Sequence, residues 1–165
     1  MKSFYIEQRI PSLRRNFTVK NQDEKDVYFA KGSFMKIPKH FIIVDAEENL
    51  VAQIIKKPFS FLLSTFFVKV NGQEMVTIKK HLSFLKSRYT IDAMGIEVRG
   101  NWWDKNFEIV ENGEVIGLVD KYLFRLNDGY RLQIIKEEMQ IFLISLVIAI
   151  AYVKAEEATG ASFST

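Results

Sequence analysis

The chain has no cysteine, which excludes disulfides and thiolate metal centres. Its two histidines, His40 and His81, have no second ligand near them in a zinc-like spacing. Three prolines and eight glycines in 165 residues leave no flexible linker, so one domain over residues 1–158 is expected. The glycines mark turns, and no G-x-G-x-x-G or Walker pattern is present to hold a nucleotide. No Gly-x-Ser-x-Gly elbow surrounds Ser60 or Ser83. An excess of one charge is also missing: 23 basic against 20 acidic side chains give +3, far from the basic stripe that nucleic acid demands. The N-terminal residues MKSFYIEQRIPSL lack the unbroken apolar run of a signal peptide. With the absence of cysteine, this makes a reducing, cytoplasmic setting the expected one. No catalytic residue, metal site or cofactor is therefore expected from motifs.

What is abundant is apolar and aromatic: 48 % hydrophobic residues and 14 phenylalanines, enough for a large core. Up to residue 135 the pattern is one of short strands. Phe17 and Val19 alternate with Thr18 and Lys20, Ile96 and Val98 with Glu97 and Arg99, and Tyr130, Leu132 and Ile134 with Arg131 and Gln133. Such period-two alternation marks half-buried strands. Asn71-Gly72 and Asn112-Gly113 stand between apolar runs and predict two-residue hairpins. Asn127-Asp128-Gly129 and residues 45–49 predict further turns. About a dozen strands result.

The last apolar segment, residues 139–153, reads MQIFLISLVIAIAYV between Glu137-Glu138 and Lys154. At a helical rise these fifteen residues reach only about 22 Å, short of a bilayer core of about 30 Å. The run is apolar on every face, so lipid or protein must enclose it. A helix over about 136–158 is expected, with a stop at Gly160 and a frayed tail over 159–165.

A repeat links the strands. Lys56-Lys57-Pro58-Phe59-Ser60-Phe61-Leu62 aligns with Lys79-Lys80-His81-Leu82-Ser83-Phe84-Leu85. Repeated hairpins that cannot each bury a face must share a core. An eight-stranded barrel is filled by its own side chains, so a helix inside requires a wider one. The expected fold is mainly β: a closed antiparallel barrel of about a dozen strands wrapped around the buried C-terminal helix.

The order of several stretches resembles the LURP-one-related family over nearly the whole chain. These are Ile6-Glu7-Gln8-Arg9, Phe17-Thr18-Val19-Lys20, Asp26-Val27-Tyr28-Phe29, Arg88-Tyr89-Thr90-Ile91, Val98-Arg99-Gly100, Phe107-Glu108-Ile109 and Asp128-Gly129-Tyr130-Arg131-Leu132, followed by the apolar helix. The resemblance implies the tubby C-terminal-like fold, shared with the tubby and phospholipid scramblase families. It implies little chemistry, since a fold hosts many functions. Tubby-like relatives bind phosphoinositides, through basic positions without residue-by-residue counterparts in this sequence. The family's helix commonly ends near Ala-Ile-Asp, whereas this one has Ala149-Ile150-Ala151.

Four lysines are the candidate site: Lys56, Lys57, Lys79 and Lys80, at equivalent places in the repeat and beside Phe59, Phe61, Leu82 and Phe84. Gathered at one rim, they would suit an anionic membrane surface or a phosphoinositide-like headgroup; guarding exposed strand ends is their structural role. Residues 1–135 hold 21 basic and 16 acidic side chains, +5. Trp102-Trp103 on a strand would send one ring inward and one outward, the latter an anchor for lipid or a partner. The acidic turn at 45–49 lacks EF-hand spacing for a cation. Three functions follow: a non-enzymatic barrel binding lipid headgroups or a protein, a membrane-attached scramblase-like protein with an inserting helix, or an enzyme whose site the fold assembles.

Overall fold

A computed structural model describes residues 1–9, 16–32, 39–60, 63–81, 88–103, 106–124 and 127–162. Strands β1 (Lys2–Arg9), β2 (Asn16–Asn21), β3 (Asp26–Gly32), β4 (Lys39–Asp45), β5 (Leu50–Ser60) and β6 (Leu63–Val70) come first. Then follow β7 (Gln73–His81), β8 (Arg88–Asp92), β9 (Ile96–Gly100), β10 (Phe107–Glu111), β11 (Glu114–Phe124) and β12 (Asn127–Ile134). A 3-10 turn, Glu137–Met139, leads into helix α1, Gln140–Ser162.

Apart from β8 and β9, consecutive strands pair antiparallel, and β1 pairs with β12, so the sheet runs β8 back to β1 and then β12 to β9. A single bridge, Ala93 to Ile96, joins β8 and β9, which leaves the barrel nearly closed. Twelve strands spaced by about 4.8 Å and tilted by about 40° close on a radius of about 12 Å. A helix with its side chains takes up about 5 Å of that. The rest is one layer of inward wall side chains, which explains the count of strands.

The inner layer is the alternating set seen in the sequence. Phe4, Ile6, Phe17, Val19, Ala30, Phe41, Ile43, Ala52, Ile54, Phe66, Val68, Val76, Ile78, Ile109, Leu132 and Ile134 form one buried cluster with the helix. Phe142 to Val153 are buried on every side of α1. Ser145, fully buried, donates to the carbonyl of Ile141 at 2.7 Å, so its hydroxyl needs no partner in the wall. Ala151 is buried as well, and a carboxylate there would carry a desolvation cost.

Both Asn-Gly pairs make the expected hairpin turns, with φ of 49° and 78° at Asn71 and Gly72 and of 51° and 85° at Asn112 and Gly113. Asn127-Asp128-Gly129 is not a turn but the start of β12, with Gly129 paired to Glu7 and Tyr122. The glycine serves close approach: a Cβ there would sit 2.9 Å from the Tyr122 ring. The helix also passes the stop expected at Gly160 and continues to Ser162. A mid-helix glycine costs only about 1 kcal/mol, and residues 163–165 lie outside the described part.

In the β4–β5 turn, Asp45 Oδ1 accepts from the backbone N–H of Glu47 at 3.0 Å and of Asn49 at 2.8 Å, and Oδ2 from Asn49 Nδ2 at 3.0 Å. The Asn49 side chain, with these backbone donors, lowers the Asp45 pKa from its usual 3.8. A depressed folded value stabilises the protein above the unfolded pKa and ceases to do so as acid protonates the folded carboxylate.

Two outcomes test this description. Asp45→Asn lowers the Tm slightly at neutral pH, and the gap from wild type closes below about pH 4; a gap independent of pH in thermal melts would refute it. Ile144→Asp buries an unpaired charge at a cost of several kcal/mol and abolishes folding, while the wild-type chain stays soluble without detergent. A folded, soluble Ile144→Asp protein, judged by circular dichroism and gel filtration, would contradict the central helix.

Candidate functional site

The two ends of the barrel differ in charge. The turns at 22–25, 46–49, 71–72, 93–95 and 112–113 all lie at the end where α1 enters. With their flanks (residues 20–26, 45–50, 69–74, 92–97 and 111–114), and with residues 1–2 and 134–139, this end holds thirteen acidic side chains and five basic ones, a balance of −8. The other described residues, along the strands and α1, hold 12 basic and six acidic side chains, +6. Among the described residues acidic side chains are thus concentrated at the end where α1 enters.

At the acidic end Lys2 pairs with Glu137 at 2.9 Å and Lys136 with Glu111, while Gln140 Nε2 donates to the Tyr28 hydroxyl at 2.9 Å. The bond to Lys2 is the chief reason the Glu137 pKa is lowered. These contacts fix the root of the helix. Beside them lies a cavity of about 520 Å³, lined by Lys2, Asn21, Asp23, Tyr28, Asp45 and Gln140 among others. Among the described residues, the exposed large hydrophobics are Met1, Leu50, Met94 and Ile135, all at this end.

The four sequence-predicted lysines lie at the opposite end, but on two faces of the wall. Lys57 pairs across Thr65 with Lys79 in one row, and both are exposed. The Lys57 ammonium stands 4.9 Å from the Phe67 ring centre. Lys56 and Lys80 follow the inward parity of Ile54 and Ile78 and are half-buried. Lys56 stands 5.8 Å from the Phe66 ring centre, and Lys80 Nζ lies 2.9 Å from Glu157 Oε2 on α1. The sequence repeat aligns Lys56 with Lys79, yet their parities are opposite, because one residue of offset exchanges the faces of a strand. The side chains of Phe59, Phe61, Leu82 and Phe84, expected beside them, lie outside the described part.

Aromatic residues gather where α1 leaves the barrel. The Tyr152 ring packs 4.3 Å from Phe41 and 5.7 Å from Phe66. The Lys154 ammonium stands 5.8 Å from the Trp103 ring centre and 5.6 Å from that of Tyr130, a cation–π geometry. Trp102 and Trp103 are not on a strand. They occupy a turn after β9, edge to face at 5.4 Å, and both are half-buried, so the in-and-out division expected of a strand does not arise.

Catalytic alternatives gain little. Among the described residues no three His, Cys, Asp or Glu side chains could hold a metal ion. His40 is half-buried on β4, whereas the side chains of His81, Ser60 and Ser83 lie outside the described part. Among the described residues the most perturbed group is Tyr122, on the outer face over Gly129. Burial first, then the Glu7 carboxylate, push its pKa up to about 12, which keeps the phenol protonated rather than poised as a base. Around it Lys20 approaches Glu7 at 3.5 Å, and Arg131 binds Asp120 at 2.6 and 3.1 Å. Paired charges of this kind are wall structure on their own terms.

Comparison with known proteins gives three findings. A model of the family described as LURP-one-related matches residues 2–151. The uncharacterized protein YxjI of Bacillus subtilis (strain 168) is 23% identical over 150 residues, covering 91% of this chain and 92% of that protein. An X-ray structure of a protein from Arabidopsis thaliana superposes with a TM-score of 0.54 at 10% identity, over 91% of each chain. That last likeness concerns the fold alone.

Proposed function

The chain belongs to the LURP-one-related family, and from that premise we propose that it is a non-enzymatic barrel that docks on anionic lipid surfaces with its basic end. The observation that carries the reading is the uneven charge of the described residues, −8 at the end where α1 enters against +6 along the rest of the described wall and helix. Near a negative surface such a molecule is both attracted and turned: the basic end faces the lipid and the acidic end points away. The cytoplasmic leaflet, with its anionic lipids, is the natural surface. Lys57 and Lys79 face outward to meet headgroups, and the Lys57 ammonium stands over the Phe67 ring.

The inserting-helix alternative has less support. By length and composition, residues Glu137–Ala155 pass for a membrane span. Yet Phe142 to Val153 are the filling of the barrel, and withdrawing them would leave an apolar lumen open to water.

Co-sedimentation with liposomes tests the proposal. Binding requires anionic lipid and falls steeply as salt rises, since screening beyond about 8 Å removes most of the attraction at physiological ionic strength. At about 1 kcal/mol for each lysine near the surface, changing Lys56, Lys57, Lys79 and Lys80 together to Gln weakens binding by tenfold or more while the fold persists. Binding that ignores salt, or that survives the fourfold change, would sink the proposal.

A further inference from the structure

The sheet closes on itself by a single bridge. Ile96 N–H donates to the Ala93 carbonyl at 3.1 Å, and beyond that bridge no residue of β8 pairs with one of β9. Both strands lie wholly within the described residues. Thr90 and Asp92 stand opposite Lys79 and Thr77 of β7, and Glu97 and Arg99 opposite Val110 and Glu108 of β10. By strand parity the N–H and C=O groups of Ile91 and Val98 then point the other way, across the gap, as those of Ala93 and Ile96 do. Exposure follows the same opening. At the bridge Ala93 and Ile96 are buried, at 2% and 8%. Two residues further along each strand, Ile91 and Val98 pack on the core yet are only half-buried, whereas their partners Ile78 and Ile109 in the adjoining strands are at 0%. Among the described residues, two unpaired strand edges with apolar inner side chains thus border a slit in the wall. Neither strand has a proline to guard it.

We infer that this slit docks an extended peptide segment of a partner protein, which adds a strand at β8 or β9. The chemistry of the lips selects that occupant. An acyl chain covers Ile91 and Val98 but has nothing to offer their backbone donors and acceptors. A strand satisfies both: its main chain hydrogen-bonds to one lip, and its apolar side chain covers the other. Charge sets the pattern of the segment. Asp92 and Glu97 are exposed on the outer face at the narrow end, and Arg99, which binds Glu97 at 2.8 Å, lies one step beyond. A matching segment therefore turns a valine-like side chain inward at the level of Ile91 and Val98, with a basic side chain outward on the side of Asp92 and an acidic one on the side of Arg99. The helix behind the slit is buried, so the segment stops at the wall. This site takes a different partner from the lipid surface and needs none of the four lysines.

The test uses the full chain and two end-capped synthetic peptides, Thr-Val-Glu-Val-Lys and its reverse, which run antiparallel to β9 and to β8 respectively. Amide exchange read by nuclear magnetic resonance gives the residue-level answer. In the free protein at low concentration the amides of Ile91 and Val98 exchange quickly, while those of Thr90 and Arg99, held in their ladders, exchange slowly. One peptide or the other slows Ile91, Val98 or both and leaves Thr90 and Arg99 unchanged. The same peptide N-methylated at both valines keeps every side chain and binds at least tenfold more weakly. Asp92→Lys combined with Glu97→Lys weakens the unmodified peptide about fivefold; thermal melts check that this variant folds, and the wild-type exchange pattern decides if it does not. Protection of Ile91 and Val98 already present in the dilute free protein assigns the slit to the chain itself. Protection that grows with protein concentration assigns it to a second copy, and protection by phosphatidylcholine vesicles but by neither peptide assigns it to lipid. Each of these three results, or equal binding of the N-methylated peptide, overturns the proposal.

Discussion

An α-helix with no polar face has nowhere to stand in water, and the rest of this molecule answers that constraint. Phe142 to Val153 are buried on all sides, so the enclosing wall must be continuous, and its radius must exceed the helix by one layer of side chains. Twelve antiparallel strands meet that condition where eight would fill their own lumen. The inner wall is then restricted to residues that fit the layer, among them Ala30, Ala52, Val68 and Val76. Consecutive strands other than β8 and β9 pair with each other, and β1 pairs with β12. This lets neighbouring strands form from local sequence before the last strand delivers the helix.

Because the helix is threaded from one end, the barrel has a direction. The root is held by polar contacts: Glu137 with Lys2, Gln140 with Tyr28, and Lys136 with Glu111. The far end is held by rings and ammonium groups: Tyr152 between Phe41 and Phe66, Lys154 over Trp103 and Tyr130, and Lys80 with Glu157. Among the described residues, acidic side chains collect at the first end, so the direction of threading also sets where the helix root meets acidic turns.

The sequence announced most of the wall and the helix. Asn71-Gly72 and Asn112-Gly113 carry turn chemistry that few other structures tolerate, and alternations such as Tyr130, Leu132 and Ile134 name the inner face directly. The turn at Met94-Gly95, with φ of 50° and 84°, is not legible in the sequence because methionine is no turn residue. Gly129 reads as a bend but serves a close neighbour, the Tyr122 ring. The axial charge was hidden for a topological reason. In a meander, every second connection falls at the same end, so acidic turns alternate along the sequence with basic strand ends and local averages cancel. The lysine repeat shows a further limit: similar residues in similar order carry no parity, and parity decides whether Lys56 and Lys79 look into the barrel or away from it.

Native-state hydrogen exchange tests the enclosed helix most directly. If the helix is the core, the amides of residues 142–153 exchange only by global unfolding, at the same free energy as the central amides of β1, β6 and β12, and without detergent. Amides of the helix that exchange at a lower free energy than the strands, or that gain protection only when detergent or lipid is added, would contradict a barrel built around it.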